Sequence, residues 1–114
     1  MPLLRIQTNC ALDADLQREL PQRASLAVAR LLGKPERYVM VTVEHNPAML
    51  FAGSDAPLAY LELKSIGLPT AKTGELSKGL CALVAQQLGV SPDRIYIEFA
   101  NAAANLWGWD GGTF

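Results

Sequence analysis

Pro2 stands second in the chain, behind Met1, and this position decides its chemistry. An internal proline nitrogen is an amide with no basic lone pair. Removal of Met1, which a small second residue normally permits, would turn Pro2 into a free secondary amine. An α-amine has a reference pKa of about 7.7–8. Burial among apolar groups disfavours the ammonium form and lowers that value. A nearby cation would push the same way. The outcome is a general base poised near neutral pH. Pro57 heads a similar stretch, Ala56-Pro57-Leu58-Ala59 against Met1-Pro2-Leu3-Leu4, yet it is held as an amide inside the chain.

The echo extends beyond the prolines. Leu32-Gly33-Lys34-Pro35-Glu36-Arg37-Tyr38-Val39 and Leu88-Gly89-Val90-Ser91-Pro92-Asp93-Arg94-Ile95 are matching exits from two helical patterns. The chain therefore reads as a doubled strand–helix–strand unit, residues 1–45 and 56–100, in one domain spanning 1–114. Leu3 to Thr8 alternates as a strand. Asp13 is the N-cap of a helix reaching Leu32, with Leu16, Leu20, Ala24, Ala27, Val28 and Leu31 as its apolar stripe. Pro21 is expected to kink it near Gln17, and Gly33 with Pro35 ends it. Strands follow at Tyr38–Glu44 and Leu58–Ile66, a second helix at Thr70–Leu88, and a fourth strand at Arg94–Ala100. Asn46 to Pro57 is an irregular connector, and Asn101 to Phe114 is a tail carrying Trp107, Trp109 and Phe114.

Each βαβ half has parallel strands. The expected fold class is α+β: a four-stranded mixed sheet with both helices on one face. The opposite face collects Arg5, Gln7, Thr42, Glu44, Glu62, Lys64, Tyr96 and Glu98. Such a face cannot enter a dry core cheaply. Met49-Leu50-Phe51 and the aromatic tail find no obvious place in a helix-on-sheet monomer, which suggests a subunit contact. Together these features favour an oligomer with a polar interior over a monomer with one solvated face.

Composition narrows the function classes. Hydrophobic residues make up 50% and charged residues 18%, enough for one packed core in 114 residues. The net charge of −1, with no basic run, argues against nucleic acid or anionic lipid as partners. One His and two distant Cys, Cys10 and Cys81, supply too few ligands for a metal site and read as buried apolar thiols. No signal-peptide pattern or membrane-length apolar run is present, so a cytoplasmic protein without cofactors is the expectation.

Met1-Pro2, Gly33-Lys34-Pro35, Phe51-Ala52-Gly53-Ser54, Ser65-Ile66-Gly67, Ser91-Pro92-Asp93-Arg94-Ile95-Tyr96-Ile97 and Gly108-Trp109 with Thr113-Phe114 occur in an order and spacing that resembles the macrophage migration inhibitory factor family, within the tautomerase superfamily. The resemblance runs end to end. It implies a homotrimer around a solvent channel, with active sites between subunits. It also implies keto–enol tautomerisation of phenylpyruvate-like keto acids, without a metal or cofactor.

Matched by position, Pro2 is the catalytic proline and Lys34 the lysine that pairs with the substrate carboxylate. Ile66 lines the pocket through its backbone. Tyr96 is the tyrosine supplied by a neighbouring subunit. Tyr38, Trp109 and Phe114 take pocket positions. Three positions depart from the family pattern: Glu98 stands where Asn is frequent, Lys64 replaces a pocket-side His, and Trp107 replaces a small aliphatic residue. The Cys-x-x-Cys of animal members is replaced by Pro57-Leu58-Ala59-Tyr60, so thiol oxidoreductase activity has no support. A carboxylate at Glu98 would repel an acidic substrate unless Lys64 neutralises it. A non-catalytic interaction or signalling protein of the same fold is the alternative. Dehalogenation or decarboxylation would need arginines around the proline; Arg5 is one candidate, without a visible partner.

Overall fold

The computed structural model describes all 114 residues. Six short chain stretches carry the architecture. β1 (Leu3–Thr8) is followed by α1 (Ala14–Leu32) and β2 (Met40–His45), then β3 (Ala59–Ile66), α2 (Thr73–Leu88) and β4 (Ile95–Ala102). The sheet order is β2-β1-β3-β4. β1 pairs parallel to β2, and β3 parallel to β4, while the two central strands run antiparallel. This is the mixed sheet of the doubled unit, with fold class α+β as the sequence implied.

Alternation sets the two faces. Leu4 and Ile6 from β1 and Leu61 and Leu63 from β3 are fully buried against Leu20, Ala24 and Val28 of α1 and Leu76, Leu80 and Val84 of α2. One polar side chain on the core side, Thr8, is satisfied: its hydroxyl donates to the Leu58 carbonyl at 2.7 Å and accepts from the Cys10 N–H at 3.1 Å. The ends of α1 follow from local chemistry. The Asp13 carboxylate accepts from the Leu16 N–H at 2.8 Å. At the other end Gly33 adopts φ +63°, its N–H bonds to the Arg30 carbonyl, and the Lys34 N–H bonds to the Ala29 carbonyl at 3.0 Å. That Schellman closure fixes the direction in which Lys34 leaves the helix. α1 runs unbroken past Pro21.

Several boundaries differ from the sequence reading. Pro35 opens a 3₁₀ turn over Glu36–Tyr38, closed by Tyr38 N–H to Pro35 O at 3.1 Å. Tyr38 therefore leaves the strand, which begins at Met40. Thr70–Lys72 is likewise a 3₁₀ turn ahead of α2. The tail is not loose. It forms a 3₁₀ turn at Ala104–Leu106 and a hairpin of β5 (Gly108–Trp109) and β6 (Gly112–Thr113). Its turn residues Asp110 and Gly111 have φ of +51° and +76°, as a type I′ turn requires. Cys10 and Cys81 are free and half-buried, rather than fully buried as expected.

Candidate active site

Pro2 immediately precedes the β1 pairs Leu3↔Met40 and Leu3↔Lys64, so it lies beside Val39 on one side and Ser65 on the other. Its side chain is fully buried, and its carbonyl accepts from the Met40 N–H at 3.0 Å. Around it opens a cavity of about 410 Å³, lined among others by Pro2, Arg37, Tyr38, Trp107, Trp109 and Phe114. A wider hollow of about 520 Å³ between α1 and β2 carries a single ionisable group, Glu36, with no hydrogen bond to the Ser25 hydroxyl in the same wall.

The aromatic wall is built by the two turns that the sequence pattern hid. The 3₁₀ turn after Pro35 presents the Tyr38 ring. The hairpin returns Trp109 and Phe114 to meet it. Tyr38 stands edge-on to Trp109 at 5.9 Å and to Phe114 at 6.0 Å, and Trp109 stacks on Phe114 at 5.3 Å between centroids. The Phe114 N–H closes the arrangement on the Trp107 carbonyl at 3.1 Å. These edge-to-face and stacked geometries are the favourable ones for rings. The aromatic tail thus folds back onto Tyr38 within one chain, yet Trp109 stays 55% exposed and Leu106 79% exposed, in keeping with the expected subunit contact.

Lys34 reaches from the end of α1 to the end of β3. Its Nζ donates to the Ser65 hydroxyl at 3.1 Å and to the Ile66 carbonyl. Because Ser65 is beside Pro2 in the sheet register, Lys34 and Ile66 belong to the same neighbourhood as the cavity. The electrostatic result is visible at the chain end: the Met1 α-amine is held below its ordinary value, first by burial and then by the Lys34 charge.

Lys64, Glu98 and Tyr96 do not join the cavity within one chain. They lie on the open sheet face. Glu98 pairs in register with Glu62, whereas Lys64 lies opposite Ala100. The anticipated Lys64–Glu98 pair is therefore replaced. Lys64 Nζ is 3.8 Å from Glu62, and Glu98 accepts from the Tyr60 hydroxyl at 2.7 Å. Hydrogen bonding to Glu98, then burial, then Glu62 push the Tyr60 phenol above its ordinary value. Arg5 is occupied by Glu44 through two hydrogen bonds at 3.0 and 3.2 Å, which removes it as a free acid-binding arginine.

Tyr96 sits toward the far end of the sheet. It pairs with Tyr60, which in turn pairs with Gln7, five residues along the chain from Pro2; that is about 17 Å at strand rise. There its ring packs on Phe51 at 4.6 Å. Arg94 fixes this end. Its guanidinium covers the Phe51 ring at 5.2 Å and donates to the carbonyls of Phe51, Ser54, Ala56 and Pro57. Phe51 and Ser54 bracket a tight turn whose central residues Ala52 and Gly53 both have positive φ. Sequence reasoning missed Arg94, Ser65 and Arg37, since their partners are set by register and loop return.

The model of the family described as Macrophage migration inhibitory factor matches residues 1–114. The chain is 39% identical to the macrophage migration inhibitory factor of Meriones unguiculatus, over 100% of this chain and 99% of that protein. It is 37% identical to the Brugia malayi homolog, with the same coverage. Among solved structures, the Prochlorococcus marinus homologue superposes with a TM-score of 0.92 at 44% identity, covering 98% of both chains. The Toxoplasma gondii protein does so at 0.91 with 34% identity, covering 98% of this chain and 99% of that one. With the fold, the full-length match and these identities in agreement, the chain belongs to the macrophage migration inhibitory factor family.

Proposed function

We propose that this chain, once Met1 is removed, catalyses keto–enol tautomerisation of phenylpyruvate-like 2-oxo acids, with the Pro2 amine as general base. The observation that carries this reading is the burial of Pro2 in the wall of an aromatic cavity, next to the strand end where Lys34 is anchored. An amine one residue further out already feels burial and the Lys34 charge. The Pro2 nitrogen, deeper in, is favoured in its neutral form by the same two causes. It takes a proton from the carbon beside the carbonyl. The released electron pair forms the carbon–carbon double bond, and the carbonyl oxygen takes up a proton to give the enol. Lys34 holds the carboxylate as a charge-assisted contact. The Ile66 N–H orients a substrate oxygen. Tyr38, Trp107, Trp109 and Phe114 hold the ring and exclude water.

Tyr96 enters this scheme only from a second copy, because within one chain it lies at the opposite end of the sheet. We therefore propose sites between subunits of a homotrimer, with Glu98, two residues along the same strand face from Tyr96, reaching the site by the same route. Pro2→Gly tests the proposal. Turnover of phenylpyruvate enol should collapse by about 10²-fold or more, while the circular dichroism spectrum and assembly size stay as in the parent. A Pro2→Gly protein that keeps its rate would overturn the reading. Intact-mass measurement of the purified protein establishes which fraction has lost Met1.

A further inference from the structure

Arg37 is the one charged side chain lining the Pro2 cavity. It is exposed, and no carboxylate claims it: the ion pairs of the molecule are made by Arg5, Arg18 and Lys64. Its guanidinium instead lies over the Tyr38 ring, 4.8 Å from the centroid. Stacking on a ring holds the guanidinium plane while leaving its N–H groups free to donate. The 3₁₀ turn begun by Pro35 places Arg37 and Tyr38 side by side at the rim. Within one chain no acidic side chain lines the cavity, and Arg37 is the cation at its rim. Lys34, bound to Ser65 and Ile66, supplies a second cation near the Pro2 end.

We propose that Arg37 selects substrates carrying a second anionic group, so that the preferred compound is an aryl 2-oxo acid with a carboxylate on the ring, distal to the reacting carbon. This deepens the tautomerase reading and rests on it for the orientation of the substrate. With one carboxylate at Lys34, the ring lies along Tyr38, Trp109 and Phe114, and its far end meets Arg37. A planar carboxylate matches the fork of N–H donors. The cavity would then read both ends of a diacid.

The test uses two saturated acids that cannot enolise, 3-(4-carboxyphenyl)propanoate and 3-phenylpropanoate, titrated into the full-length protein. Trp107 and Trp109 in the cavity wall report binding by fluorescence. The diacid should bind about tenfold more tightly. The preference should fall to about one or below in Arg37→Ala, survive in part in Arg37→Lys, and shrink as salt rises, since the group is exposed. Equal affinity for both acids in the parent, binding of neither, or a preference unchanged in Arg37→Ala would each overturn the inference. Failure of the tautomerase reading shows elsewhere: Pro2→Gly would keep its turnover while the affinity ratio stood.

Discussion

Lys34 and Ser65 join the two halves of the molecule: the Lys34 ammonium, at the end of the first helix, lies 3.1 Å from the Ser65 hydroxyl at the end of the third strand. Ser65 is fully buried and sits beside Pro2 in the sheet. A cation that would otherwise wander on a four-carbon stem is thereby aimed at the cavity end of β3. Ser65→Ala removes one of its two acceptors. The expected result is a KM for keto acid raised about three- to tenfold with a smaller change in kcat. The stability cost is about 1 kcal/mol, the usual net worth of one hydrogen bond. Steady-state kinetics and a urea melt measure the two effects.

The pH dependence has a definite sign. The working form of the base is the neutral amine, so activity is present above its pKa and lost as pH falls through it. Burial and Lys34 hold an amine at this end of the chain below its ordinary value. The acidic limb of kcat/KM should therefore lie below the ordinary α-amine range. Lys34→Met removes the cation, lets the ammonium form gain ground, and should move that limb to higher pH. A limb that stays put or moves down in Lys34→Met would contradict the assignment.

Tyr60 offers a spectroscopic check on the open sheet face. Its hydroxyl donates to Glu98, and its ionisation is pushed above the ordinary phenol value chiefly by that contact. In Glu98→Gln the negative acceptor is gone, and the phenolate should appear at lower pH, followed by its ultraviolet absorbance. Glu98→Asn should also raise turnover of an acidic enol, since a repelling carboxylate is removed. An unchanged rate would show that Glu98 lies too far from the substrate to matter.

Arg94→Ala strips the 46–57 connector of its donor. Four carbonyls lose a charge-assisted partner, and the Phe51 ring loses its cover. A destabilisation of about 2 kcal/mol is expected. Hydrogen exchange should quicken at the Phe51 and Ser54 amides, which bond to each other's carbonyls across the turn. Exchange rates at β1, at the centre of the sheet, should respond only through the global loss of stability.

Much of this fold was legible in the sequence because the two halves repeat and because helix ends carry strong local chemistry. Asp13 and Gly33 marked α1 within a residue of its observed bounds. Tyr38 was misplaced into a strand because its alternation with Val39 hides the 3₁₀ turn that Pro35 starts. The Asp110-Gly111 pair is a strong hairpin signal, yet it is masked in a tail of small residues. Pro2, Tyr38, Trp107, Trp109 and Phe114 do converge on one cavity. The pairing of Glu98 with Tyr60 was beyond reach, since it needs the β3–β4 register, which opposes Glu98 to Glu62.

The antiparallel join of β1 and β3 has a geometric consequence. It sets the heads of the two half-units at opposite ends of the sheet, and the chain furnishes them differently: the Pro2 cavity at one, an apolar hollow of about 290 Å³ walled by Phe51 and Tyr96 at the other. Such a body has a direction, like an arrow. Copies laid tip to tail bring unlike ends together at every junction and either close a circle or grow without end. Two arrows meeting tip to tip would match like with like and stop there.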